Sequence, residues 1–250
     1  MEIIILIISA FITSSISAVI GMGGGIILLG IMAIIIPEGY MVIALHGIIQ
    51  LVSNTTRTFI FKDYLKKYII KDFLMGAILG LCFSGIIILI LIHYFNVSSA
   101  NQIKIDFLKP IIGIFILWYL YLKPSKKEKK KSSFIKVGFI SGFCSIFIGA
   151  TGPLIAPFFL KENLNKENII SNKAICQMIS HLGKIPLFIF LFNVNYFSEY
   201  RILVPLIASV YFGTYFGKKI LNLIPEKTFL ILFKITLTLI SIKLIIQNII

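Results

Sequence analysis

Acidic side chains are scarce in this chain. There are 10 Asp and Glu against 24 Lys and Arg, and nearly all the carboxylates fall in loops or near the ends of apolar runs. That argues against a carboxylate-lined cation pathway and against paired-carboxylate chemistry inside the apolar part. Cysteine is rarer still. Cys82, Cys144 and Cys176 stand far apart in apolar segments without C-x-x-C spacing, so neither a disulfide framework nor a metal site is expected. They read as small buried hydrophobes. H-E-x-x-H and G-x-S-x-G are missing, and the first glycine cluster does not fit G-x-G-x-x-G, so no enzyme activity and no cofactor is expected. The basic start of a signal peptide is also missing after Met1-Glu2, and the N-terminal stretch is read as part of the mature fold.

What is present is apolar. Hydrophobic residues make up 58% of the sequence, charged residues only 14%, and the mean hydropathy is +0.99. Apolar stretches of about 20 residues alternate with short polar loops, the pattern of a polytopic helical membrane protein in contact with lipid. A net charge of +14 would suggest nucleic-acid binding in a soluble protein. Here the positive charges sit mainly in loops between apolar spans, where the positive-inside rule accounts for them, so nucleic acid is not an expected partner.

The first apolar run, Ile3 to Ile36, is interrupted by Gly21-Met22-Gly23-Gly24-Gly25. As one helix it would measure about 51 Å against a hydrocarbon core of about 30 Å, so it is no single straight span. Four glycines, each about 1 kcal/mol worse than Ala in a helix, mark a break. After the turn Pro37-Glu38-Gly39-Tyr40, helices are expected over about Met41–Phe61, Phe73–Phe95 and Phe107–Leu122. The tract Lys123 to Ser133 is strongly hydrophilic and reads as a cytoplasmic linker. It separates a first membrane repeat (1–122) from a second (134–250). The second run starts at Phe134 and breaks at Gly149-Ala150-Thr151-Gly152-Pro153; a short limb, Leu154 to Leu160, follows. Helices are then expected over about Ser171–Phe192, Ile202–Ile220 and from Phe229 onward.

The halves align by side chain. The helix after the first break carries His46, Gln50, Ser53, Asn54 and Arg57. The helix after the second carries Lys173, Gln177, Ser180, His181 and Lys184, each displaced by 127 positions. Spacings of three and four put each set on one helix face. Five aligned polar positions in apolar helices indicate an internal duplication.

Loop charge suggests the topology. If each broken segment returns to the side it entered, the loops 62–71, 123–131, 161–166 and 218–227 place 15 Lys on one side, leaving Lys104 and Arg201 on the other. A single crossing per broken segment gives a much weaker bias. The expectation is an all-α polytopic membrane protein of two inverted repeats, each a glycine-broken helical hairpin plus three transmembrane helices. Both termini are then outside and the basic loops cytoplasmic, in the cell membrane.

A break followed by a new helix leaves free N–H groups at a positive dipole end, a ready anion site. Candidate binding residues are therefore Gly21, Gly23, Gly24, Gly25, Gly149, Thr151, Gly152 and Pro153, with Pro153 suited to a first helical position. Gln50, Asn54, Gln177, His181 and Lys184 would line the space between the tips. His46, Ser53, Arg57, Lys173 and Ser180 are further candidates. Arg57 and Lys173 lie close enough to helix ends to snorkel outward, which leaves Lys184 the stronger intramembrane cation. His181 is suited to proton coupling. Interhelical hydrogen bonding is the plainer role for any one of these polar groups alone.

In combination, the G-x-G-G-G break at residues 21–25, its counterpart Gly149-x-x-Gly152-Pro153, the polar helices that follow and the short duplicated layout resemble the sulfite exporter TauE/SafE family of membrane transporters. The resemblance covers essentially the whole chain. It implies secondary transport of a small anion, often a sulfur oxyanion such as sulfite or an organosulfonate, across the cytoplasmic membrane. An anion channel on the same fold is the alternative, and a membrane scaffold or assembly factor a more remote one. The first tip lacks a proline soon after its glycines, whereas the second has Pro153 and Pro157, which implies unequal contributions from the halves.

Overall fold

The computed structural model describes residues 2–103, 114, 117–122, 133–160, 162 and 164–246. The expected linker, apart from Ser133, and most of the expected Phe107–Leu122 helix lie outside the described residues. Among those described there is no strand, and the long elements are helices: α1 (Glu2–Ile20), α2 (Gly24–Ile35), α3 (Gly39–Ile60), α4 (Lys67–Tyr94), α5 (Phe134–Ile148), α6 (Gly152–Phe159), α7 (Lys166–Phe192), α8 (Tyr200–Leu221) and α9 (Glu226–Ile246). Of these, α1, α4 and α7 are each long and apolar enough to cross a membrane.

Polarity is distributed as a membrane protein requires. Ile34 is 86% exposed and Phe190 78%, whereas Arg57, Lys173 and Lys184 are at most 2% exposed. In water the apolar belt would be a large unsatisfied surface; in lipid it costs nothing, and the polar groups need the interior.

The apolar runs stop at both glycine clusters because the backbone there enters conformations that side chains disfavour. Gly23 has φ +95° and Gly149 φ +78°, a region that costs an L-residue roughly 1–2 kcal/mol. Gly23 precedes α2 and Gly149 ends α5. The limbs differ in length: α1 has 19 residues, about 28 Å, and α6 has 8, about 12 Å. Thr151 is the N-cap of α6, so Pro153 occupies the second helical position rather than the first; its missing N–H is still one that no intrahelical carbonyl could use.

Two of the helices begin earlier than their apolar runs. Both α4 and α7 extend about a turn or more into polar sequence, Lys67–Asp72 and Lys166–Ile170. At α7 the reason is a cap: the Asn165 side chain accepts from the Asn168 N–H at 2.8 Å. The start of α7 is also clamped to the loop after α3. The Tyr64 carbonyl accepts from Asn168 Nδ2 (2.7 Å), Asn172 Nδ2 (3.0 Å) and Ser171 Oγ (3.1 Å). Lys166 Nζ donates to the Ile224 carbonyl at 2.5 Å, just beyond the end of α8. The Tyr64 bonds tie the α3 end that carries Arg57 to the α7 start that carries Lys173, and the Lys166 bond ties that start to the end of α8.

Helix partners are exchanged between the halves. α1 packs on α8, α4 packs on α5, and α3 packs on α7. Small residues permit the first two approaches. A Cβ on Gly213 or Gly217 would strike the backbone of Phe11 or Ser15, and one on Gly76 or Gly80 the backbone of Ile135 or Phe139. Ser15 Oγ donates to the Gly213 carbonyl at 2.9 Å and Ser209 Oγ to that of Ile7 at 2.6 Å. The largest apolar cluster joins Phe73, Phe134, Phe159, Phe229 and Phe233, and a second joins Leu6, Leu28, Met32, Leu45 and Leu206. Between these packed layers α3 and α7 turn their polar faces toward the two breaks.

Candidate functional site

A small cavity lies where the breaks meet the polar faces. Gly23, Gly25 and Met22 line it from the first break, and Ala150, Gly152 and Pro153 from the second. His46, Gln50 and Arg57 reach it from α3, Lys173, Gln177 and His181 from α7, and Ser17 from α1. Its space is about 10 Å³, room for roughly one water molecule. An oxyanion would enter only with some movement of the side chains or tips.

Both new helices present bare N-termini here. The first intrahelical bond of α2 runs from the Ile27 N–H to the Gly23 carbonyl (3.1 Å), and that of α6 from Ile155 to Thr151 (3.2 Å). Neither helix has a capping side chain. The N–H groups before those bonds have no intrahelical acceptor, and each helix end carries about half a positive charge.

The flanking carboxamides are matched across the halves. A Cβ on Gly25 would meet Gln50 Oε1 at 3.2 Å, and a Cβ on Gly152 would meet Gln177 Nε2 at 2.6 Å. Both glycines thus let a glutamine lie against a helix N-terminus. Gly24 differs: a Cβ there would strike the Thr13 carbonyl of α1, so this glycine serves the packing of the hairpin arms.

The cations do not snorkel. Arg57 is 2% exposed and turned inward, donating through Nη1 to the Ser17 carbonyl (3.2 Å) and through Nη2 to Asn54 Oδ1 (2.6 Å). Lys173 is wholly buried and donates to the Gly21 carbonyl and to Gln177 Oε1 (3.2 Å). Both side chains turn inward, against the expectation from position along the helix, because the Ser17 and Gly21 carbonyls at the broken end of α1 accept their protons. Lys184, also buried, does not line the cavity. It donates to the carbonyls of Ile43 and Gly149, each at 3.3 Å, with the Phe188 ring 5.9 Å from its Nζ.

The two histidines approach edge to face, with ring centroids 6.1 Å apart. His46 Nε2 donates to the Gly25 carbonyl at 2.7 Å, which leaves Nδ1 unpartnered. Neither ring nitrogen of His181 has a partner, and neither does Asn54 Nδ2. Buried polar atoms without partners are unusual and costly, and both histidines that carry them line this cavity, whereas Asn54, expected to line it, stands behind Arg57 and does not.

Among the described residues, every buried charged side chain is a cation and none is a carboxylate. Every acceptor these cations find is a carbonyl or a carboxamide.

Of the remaining sequence candidates, Gly21, Gly149, Ser53, Ser180 and Thr151 form the supports behind the wall. Ser53 Oγ lies 3.4 Å from Thr214 Oγ1. Ser141 of α5 donates to Thr151 Oγ1 (3.2 Å) and pairs with Ser180 Oγ (2.9 Å). Ser17 and Ser141 join the site without having been candidates from the sequence. The run Thr13-Ser14-Ser15-Ser17, directly before the glycines of an otherwise apolar helix, carries a signal for the first.

The family model for the sulfite exporter TauE/SafE matches residues 6–244, nearly the whole chain. No curated protein and no solved structure matches the chain.

Proposed function

The chain belongs to the sulfite exporter TauE/SafE family, whose members are membrane transporters rather than enzymes, and from that premise we propose how this one works. It is a secondary transporter that binds a small sulfur oxyanion, sulfite or an organosulfonate, between the tips of two inverted hairpins near the bilayer midplane. One observation carries this reading: two buried cations, Arg57 and Lys173, line the cavity between two bare helix N-termini, with a third, Lys184, behind its wall and no buried carboxylate among the described residues. Uncompensated charge inside a membrane is expensive, and the ligand that relieves it is an anion.

The mechanism follows from what the cations hold. Lys173 and Arg57 donate to carbonyls at the end of α1. An incoming oxyanion offers them a charged acceptor, about twice as strong as a neutral one, and takes further donors from the Gly23–Ile26 backbone, from the Gly152 and Leu154 N–H groups and from Gln50 and Gln177. As Lys173 and Arg57 turn to the anion, the α1 end loses its ties to α7 and α3. The exchange of helix partners between halves supports an inverted repeat, in which α1 with α8 and α4 with α5 rock about the α3–α7 pair. His181, unpartnered beside the cavity, is the site for a coupled proton.

A cavity of one water's size favours a carrier over an open pore. Proteoliposomes preloaded with unlabelled sulfite test this. A carrier takes up labelled sulfite transiently and saturably by exchange; uptake independent of internal sulfite, with sustained single-channel currents, would reject the carrier.

A further inference from the structure

We infer that the site selects for charge: it takes a compact oxyanion bearing two negative charges in preference to a singly charged one of the same shape. The inference rests on the anion-transport reading above and adds the ligand's charge to it.

Four helix ends meet at the cavity. The C-termini of α1 and α5 each bring about half a negative charge, and the N-termini of α2 and α6 each bring about half a positive one. These contributions cancel, so the net charge of the wall is that of its side chains. Two cations line the cavity, Arg57 and Lys173. Their partners are the Ser17, Ser53 and Gly21 carbonyls and the Asn54 and Gln177 carboxamides, all of them neutral. The third cation, Lys184, stands behind the wall on Gly149 and Ile43. A doubly charged ligand neutralises both lining cations. A singly charged one leaves a cation buried without a counter-charge, which is the costly arrangement. The small cavity favours ligands whose charges share one centre over those that separate them along a chain.

One further ion pair at about 4 Å is worth roughly fivefold to a thousandfold in affinity, depending on the local dielectric. Titration calorimetry on the purified full-length chain, at mildly alkaline pH, compares sulfite and sulfate with methanesulfonate. Methanesulfonate carries the same three sulfur-bound oxygens as sulfite and the tetrahedral shape of sulfate, but a single charge. The wild-type chain should bind sulfite and sulfate at least about fivefold more tightly than methanesulfonate. R57Q and K173Q should each bring that ratio toward one, whereas a merely structural loss would weaken all three ligands alike. Equal affinities in the wild type, or sulfate ranking with methanesulfonate, would overturn the inference and leave the anion site standing. Failure of all three anions to bind would overturn the anion reading itself. The wild-type comparison needs no variant, so the outcome does not depend on how either substitution folds.

Discussion

The side-chain ammonium of Lys173 donates to the backbone carbonyl of Gly21, 152 positions away in the chain. One residue belongs to the polar face of α7 and the other to the broken end of α1. The bond therefore joins the second half of the protein to the hairpin of the first, at the edge of the cavity. Arg57 holds the same hairpin from within the first half, reaching from α3 to the Ser17 carbonyl. In the mechanism proposed above, the cations that hold the hairpin are also those that bind the substrate, so binding and hairpin movement would draw on the same donors.

Conformation at the first break is one testable consequence. Gly23 has φ +95°, and a Cβ there would lie 2.9 Å from Thr236 Cγ2. Gly23→Ala should cost about 1–3 kcal/mol of stability. At Gly39, the start of α3, an added Cβ would meet nothing within 4 Å, and Gly39→Ala should be neutral or slightly stabilising. Thermal unfolding of the two purified variants in detergent checks the contrast.

Adjacent glycines should separate binding from packing. Gly152→Ala pushes on the end of the flexible Gln177 side chain, and Gly25→Ala presses on Gln50 less closely. Both variants should fold, with sulfite affinity reduced by roughly tenfold for Gly152→Ala, the loss of about one charge-assisted hydrogen bond, and by less for Gly25→Ala. Gly24→Ala instead drives a methyl into the Thr13 carbonyl. It should lower the unfolding midpoint first and impair transport as a result. Unfolding curves and binding isotherms on the same preparations distinguish the two kinds of defect.

Much of this was legible from the sequence, and for identifiable reasons. Glycine clusters in apolar runs announce helix breaks, and both fall where α1 and α5 end. The displacement of 127 matches more than side-chain type, since Gly25 faces Gln50 as Gly152 faces Gln177. The inward turn of Arg57 and Lys173 was not legible. Distance from a helix end says how far a cation could snorkel, but not that the carbonyls of Ser17 and Gly21 stand closer. That proximity depends on how α1 packs against α8 and α2, which no local pattern encodes. Ser141 was hidden for the same reason: its partners, Thr151 and Ser180, come from two other helices.

Topology gives a prediction independent of the site. If the basic loops are cytoplasmic and each hairpin returns to the side it enters, as the loop charges lead us to propose, both chain ends lie outside. An epitope placed at the N-terminus should be accessible to antibody on intact spheroplasts. Accessibility only after permeabilisation would mean that the first broken segment crosses the membrane.

The central claim is that buried, uncompensated cations carry the anion, and exchange transport by the double variant R57Q/K173Q tests it most directly. Counterflow of labelled sulfite in proteoliposomes, normalised to inserted protein, is the measurement. The double variant should insert normally and lose exchange by at least roughly thirtyfold, the loss expected when buried charged partners are removed. A correctly inserted double variant that exchanges sulfite at the wild-type rate would contradict the claim.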